Sequence, residues 1–185
     1  MSEKGKLSVG CTVALAVLAI VIIVGIVVGI TESRKKSAAI APFQAHLSEY
    51  ITISGLTSEP SPEGQYIRGP YIRGKAIIMD TKDNKIDDIF FNLPDDLVAA
   101  TPEEVGTVVW LKWANVLVGH YTPSGASGYK KTCEVTLIDM LEKAVINKKT
   151  FTGSSPPSSK TSGGDAYGSK PTGDVIDYLK SLPRR

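Results

Sequence analysis

Two cysteines and two histidines in 185 residues leave little material for thiol or metal chemistry. Cys11 sits in a hydrophobic run and Cys133 far beyond it, so the rest of the chain holds one thiol, forms no disulfide of its own and discloses no redox compartment. C-x-x-C and H-x-x-x-H spacings are both missing, and no metal or other cofactor is expected. The adjacent pairs Asp87-Asp88 and Asp95-Asp96 lack the spaced ligands and central glycine of a calcium loop and read as solvated charges. Neither sign of charge dominates. The 21 basic and 19 acidic residues give a formal charge of +2, which denies the chain the basic footprint of a nucleic-acid binder. The phosphate-cradling glycine loops and the G-x-S-x-G nucleophile turn are absent too, which argues against the commoner nucleotide and hydrolase scaffolds.

What the sequence does have is one long apolar run. Residues Leu7 to Ile30 carry no charge, and as a helix they would reach ~36 Å, enough to cross a hydrocarbon core of ~30 Å with some tilt. The run is too long for a secretory h-region and has no polar face, so it reads as an uncleaved single-pass anchor in the lipid bilayer. Lys4 and Lys6 on one flank nearly balance Arg34, Lys35 and Lys36 on the other. The signal-anchor layout, a short tail before and a long domain after, favours placing the domain outside the cytoplasm. Gly25 and Gly29 form a G-x-x-x-G pair that would let a second helix approach closely, a candidate dimer face.

Beyond the anchor there is length for one domain. The organisation expected is a tail (1–6), the membrane helix (7–30), a basic flank and stem (31–49), a β-rich domain (50–151), a Ser/Pro/Gly-rich extended and mobile segment (152–173), and a C-terminal helix (174–185). Tyr50 to Ser54 alternates as a short strand would. Two hairpins stand out, Tyr71 to Met79 returning as Ile86 to Phe91, and Thr132 to Ile138 returning as Ala144 to Phe151. In each turn an aspartate, Asp80 or Asp139, is placed to accept bonds from backbone N–H groups. Between them Thr107 to His120 is a long strand with apolar residues on both faces, hence central, and a loop over 122–128 follows it. The fold class is therefore α+β, mostly antiparallel, a small sheet or barrel-like domain with a C-terminal helix. Its expected core comprises Ile77, Ile78, Phe90, Val109, Leu111, Trp113, Val135, Leu137, Ile146 and Leu179.

Candidate sites are few. A Cys133 nucleophile would need His120 as its base, but pairing the two strands about position 125 sets Cys133 across from Leu117 and turns His120 to the other face, so Cys133 reads as a small buried hydrophobe. The repeated Tyr66-Ile-Arg68-Gly and Tyr71-Ile-Arg73-Gly around Pro70 would offer two tyrosines and two arginines to an anionic group or a partner, although a chance duplication leading into a strand explains it as well.

The order of the anchor, Gly74-Lys75-Ala-Ile77-Ile78-Met-Asp80, Leu93-Pro-Asp-Asp-Leu97, Val118-Gly-His-Tyr121, Gly153-Ser-Ser-Pro-Pro157 and Ser181-Leu-Pro183 resembles a family of small prokaryotic proteins with an N-terminal membrane anchor, a β-rich domain and no assigned function. The resemblance covers Gly74 to Pro183 and transfers no activity, cofactor or site residue. The reading that results is a single-pass membrane protein displaying a non-catalytic binding or assembly module, with another protein or a homo-oligomer as partner and no nucleic acid. Its rivals are a membrane-anchored hydrolase with an unrecognised site and a small subunit of a larger membrane complex.

Overall fold

The computed structural model describes Gly29 and residues 31–57, 69–160 and 163–185. The expected membrane helix lies outside this set except for Gly29, and among the described residues no helix is long and apolar enough to cross a membrane. The chain divides into two compact units, Met1–Ala41 and Pro42–Arg185. In the first, residues 31–40 form a helix (α1) that is exposed along nearly its whole length.

The second unit is α+β, built on a mixed, mostly antiparallel sheet with a C-terminal helix, as the hydrophobic patterning implies. A 3-10 helix, Ala41–His46, leads into α2 (Leu47–Ile51). Tyr50 and Ile51 are therefore helical, against the strand expected over 50–54. The reason is burial: Tyr50 is inside, and its carbonyl accepts the Trp110 indole N–H at 2.7 Å. The strands are β1 (Lys75–Asp80), β2 (Lys85–Ile86), β3 (Val105–His120), β4 (Ser127–Asp139), β5 (Ala144–Thr152) and β6 (Ala166–Tyr167), and α3 (Thr172–Ser181) closes the fold. They run in the order β2-β1-β3-β4-β5, with β6 continuing the β4 edge where β5 leaves it. The sheet is open rather than barrel-like. β1 lies parallel to β3, so the two expected hairpins, β1–β2 and β4–β5, are separated by the long central strand.

Both hairpin turns use the same device. Asp80 Oδ1 accepts from Lys82 N–H and Asp83 N–H, and Asp139 Oδ1 accepts from Leu141 N–H and Glu142 N–H. The residue before each return strand, Asn84 or Lys143, takes the left-handed backbone conformation. The first return strand, expected over Ile86 to Phe91, stops at Ile86. Asp87 accepts the Ile89 N–H at 2.9 Å and caps a 3-10 helix, Asp88–Asn92, which carries Ile89 and Phe90 into the core.

Side-chain alternation along β3 sets the layers. Val109 lies on the face covered by α3, where Asn147 donates to the Tyr178 hydroxyl at 2.7 Å and Phe151 meets the Tyr178 ring. Trp110 lies on the opposite face, against α2. Eight of the ten expected core residues are buried, while Trp113 and Ile146 are half-buried and pack against that core.

Two close approaches demand glycine. A Cβ at Gly106 would collide with the Arg73 carbonyl, because β3 begins directly against the lead-in to β1. Gly153 and Gly168 cross reciprocally, each against a serine carbonyl, Ser169 and Ser154 respectively. Their N–H groups bond to Lys131 and Tyr129 of β4. The described part of the Ser/Pro/Gly-rich segment is thus extended as expected, but bonded onto the sheet rather than laid loosely over it. The C-terminal residues do the same at the other end of the sheet. Ile72 N–H donates to Pro183, Arg185 N–H to Ile72, and Gly74 N–H to Arg185.

Candidate functional site

Arg73 and Tyr71 come together, and the carboxylate they grip belongs to the chain itself. Asp139 Oδ2 accepts from Arg73 Nε at 2.6 Å and from the Tyr71 hydroxyl at 2.8 Å. Arg73 also reaches Glu142 at 2.8 Å, and the Arg185 guanidinium lies 4.1 Å from the Tyr71 ring centre. Burial pushes the Asp139 carboxyl up, but the bonds from Arg73, Tyr71 and the Glu142 N–H outweigh it and leave it below the usual carboxylate range. Burial and the same carboxylate raise the Tyr71 hydroxyl. This is a structural clamp joining the β4–β5 turn to the lead-in of β1. Tyr66 and Arg68, the other half of the repeat, and Gly25 of the helix pair lie outside the described residues. Gly29 is exposed, with open space where a Cβ would stand.

Cys133 is fully buried. Burial, then the Asp87 carboxylate, pushes its thiol up to about 12, so it carries no thiolate near neutral pH. It stands opposite Trp113 rather than Leu117, because the turn is centred nearer position 123 than 125, and Ser127 and Gly128, expected in the loop, are already paired in β4. His120 is exposed at the far end of the ribbon, where its Nδ1 lies 3.3 Å from Ser127 Oγ. Asp165 bonds to the Ser127 N–H instead of orienting the imidazole, so serine, histidine and aspartate are neighbours without the relay that hydrolysis requires. Among the described residues no group of His, Cys, Asp and Glu could hold a metal ion.

One cleft of about 430 Å³ lies on the α2 face, lined by Ile51, Leu56, Trp110, Thr136 and Val145, with Thr81, Lys112, Glu134 and Lys148 alongside. Its three charged side chains are solvent-exposed, and no nucleophile with an adjacent base stands in it. The cleft is a half-open depression with an apolar floor and a charged rim.

The distinctive surface is the outer half of the β3–β4 ribbon. β1 pairs with β3 only as far as Leu111, while β4 follows it to His120. From Lys112 onward β3 therefore presents an unpaired edge, among the described residues. Val116, Leu117 and Val118 on it are 48%, 50% and 48% exposed. Side chains alternate across a strand, so these three expose apolar surface on both faces. The base of the overhang is fixed by Trp113, whose indole N–H donates to Asp87 at 2.8 Å and whose ring has Lys170 Nζ 4.4 Å from its centre. Its outer end is fixed by the Tyr129–Tyr167 stack and by the Tyr121 hydroxyl donating to the Pro157 carbonyl. An open strand edge bracketed by rigid aromatic contacts is suited to accepting a further strand. The sequence pointed to β3 as central because both its faces are apolar; an overhanging edge strand produces the same pattern.

No family model, curated protein or solved structure matches this chain.

Proposed function

We propose that the chain is a single-pass membrane protein whose β-rich domain is a non-catalytic binding module, and that the projecting β3–β4 ribbon is its recognition surface. The carrying observation is the β3 edge beyond Leu111, unpaired among the described residues, with Val116, Leu117 and Val118 half-exposed along it. Exposed apolar strand edges are aggregation hazards that proteins normally cover or charge. Here Lys112 is the only charge between Leu111 and His120, so an edge left this open is accounted for by a partner that covers it. The uncharged run from Leu7 to Ile30 supports the tether, and the length of the domain that follows it, which translocates largely regardless of charge, favours an extracytoplasmic side.

The test is a photo-crosslinking amino acid at position 117 of the full chain in cells, with position 141 as control, since Leu141 is 76% exposed and lies in the β4–β5 turn. A discrete adduct from 117 and none from 141 is the expected result. Equal labelling from both positions, or none from 117, overturns the assignment of the ribbon.

A further inference from the structure

We infer that the strand accepted by the β3 edge is the same edge of a second copy of this chain, paired antiparallel about a two-fold axis at Asn115. This rests on the ribbon being the recognition surface and adds what occupies it. Backbone groups alternate direction along a strand. The Leu111 carbonyl points away from β4 and accepts the Thr81 N–H at 3.1 Å, so Trp113, Asn115 and Leu117 direct their N–H and C=O groups toward the same open side. The register shift between Leu117 and Gly119 ends the regular stretch at one end, and Thr81 blocks it at the other. The midpoint of what remains is Asn115.

A two-fold axis there sets Trp113 opposite Leu117 of the second copy, Ala114 opposite Val116 and Lys112 opposite Val118. Apolar groups meet apolar groups or the aliphatic stem of a lysine, and Lys112 does not face its own copy. A lipid surface fits less well, because the extremity of the ribbon is the polar turn Tyr121 to Ala126, and Val116 to Val118 lie behind it. An edge of about seven residues, ~24 Å long, makes a small interface, short of the roughly 1,000 Å² of a stable complex. Pairing is accordingly weak between free domains and favoured when two copies share a membrane, where tethering supplies a high effective concentration.

The experiment uses the full chain with Cys11→Ser, reconstituted in lipid vesicles, with single cysteines at 112, 115 and 118 and a short bis-maleimide; Cys133 is buried. At Asn115→Cys the paired Cα atoms stand about 5.5 Å apart, whereas Lys112→Cys and Val118→Cys lie ~20 Å from their own copies. Crosslinked dimer is therefore expected at 115 and, at about tenfold lower yield or less, at 112 or 118 alone. A mixture of Lys112→Cys and Val118→Cys chains restores it. Both are exposed positions outside the core, so the mixed pair keeps the test intact should 115 tolerate cysteine poorly. A flat profile, or a mixture no better than its components, overturns the pairing. Flotation of the same vesicles reports the tether: chains that float without crosslinking overturn the pairing alone, and chains that do not float overturn the tethered reading. In the cellular experiment, a 117 adduct with the mass of a different protein overturns the second copy while leaving the ribbon as the binding surface.

Discussion

The two halves of β3 are one strand with one ladder to β4, yet they do opposite things. From Thr107 to Leu111 the strand lies between β1 and β4, and Thr107, Val108, Val109 and Leu111 are buried. From Lys112 to His120 it keeps β4 on one side and, among the described residues, has no neighbour on the other. Composition does not separate the halves, since both are rich in valine and leucine and each carries a tryptophan, Trp110 and Trp113, close to where they join. The neighbour separates them: where a strand is paired on both edges its apolar residues make core, and where one edge is free the same residues make a surface.

Removing bulk from the inner half should therefore have the largest effect. Leu111→Ala is expected to cost about 2–5 kcal/mol of unfolding free energy, read from denaturant midpoints of the Pro42–Arg185 unit alongside the full chain. A loss near zero would mean that the inner half is not the core. Next comes the clamp behind it. Asp139→Ala leaves Arg73 and the Tyr71 hydroxyl without their acceptor; with Arg73 partly in solvent, the expected loss is about 2–4 kcal/mol. Asp80→Ala, which deletes the same turn device without a clamp, should cost about 1 kcal/mol. Equal losses at the two aspartates would show that only the turn matters.

The clamp also gives a pH dependence. Asp139 is held below its ordinary value of 3.8, so its contribution is complete above that value and disappears as pH falls through the lower folded one. Melting temperature should drop on acidification below about pH 4, and less steeply in Asp139→Asn than in the natural chain. Parallel curves would assign the acid sensitivity to other carboxylates. The smallest effect belongs to the outer half: Leu117→Ser should shift stability by no more than about 0.5 kcal/mol while abolishing the dimer crosslinked through Asn115→Cys. A Leu117→Ser domain that unfolds readily would make the overhang part of the core after all.

The parts of the fold that were legible in the sequence are those set by local chemistry. The turn aspartates, the alternation of β4, the long β3 and the terminal helix all follow from spacing of two or of about three and a half, and from residues that accept their own backbone's N–H groups. The parts that were not legible depend on distant partners. Tyr50-Ile-Thr-Ile alternates like a strand and becomes helical as Tyr50 is drawn inside over Trp110. The return strand after Ile86 is cut short because Asp87 caps a helical turn and takes the Trp113 indole. The parallel pairing of β1 with β3 has no local signature. For the site, the repeat offers two tyrosines and two arginines, Tyr66, Arg68, Tyr71 and Arg73, to an anionic group or a partner, but nothing nearby in sequence announces that Tyr71 and Arg73 hold the chain's own Asp139. The overhang has no signature in the sequence, because an open edge is defined by what pairs with a strand and not by the strand's own residues.

The seam between Ile72–Gly74 and Pro183–Arg185 sets the timing of folding. The lead-in to β1 leaves the ribosome well before the groups that accept from Ile72 and Gly74, which follow it by about 110 residues. Synthesis runs from the N-terminus, so this end of the sheet closes only once Pro183 to Arg185 have been made, and until then the lead-in to β1 waits without the partners that its N–H groups later find.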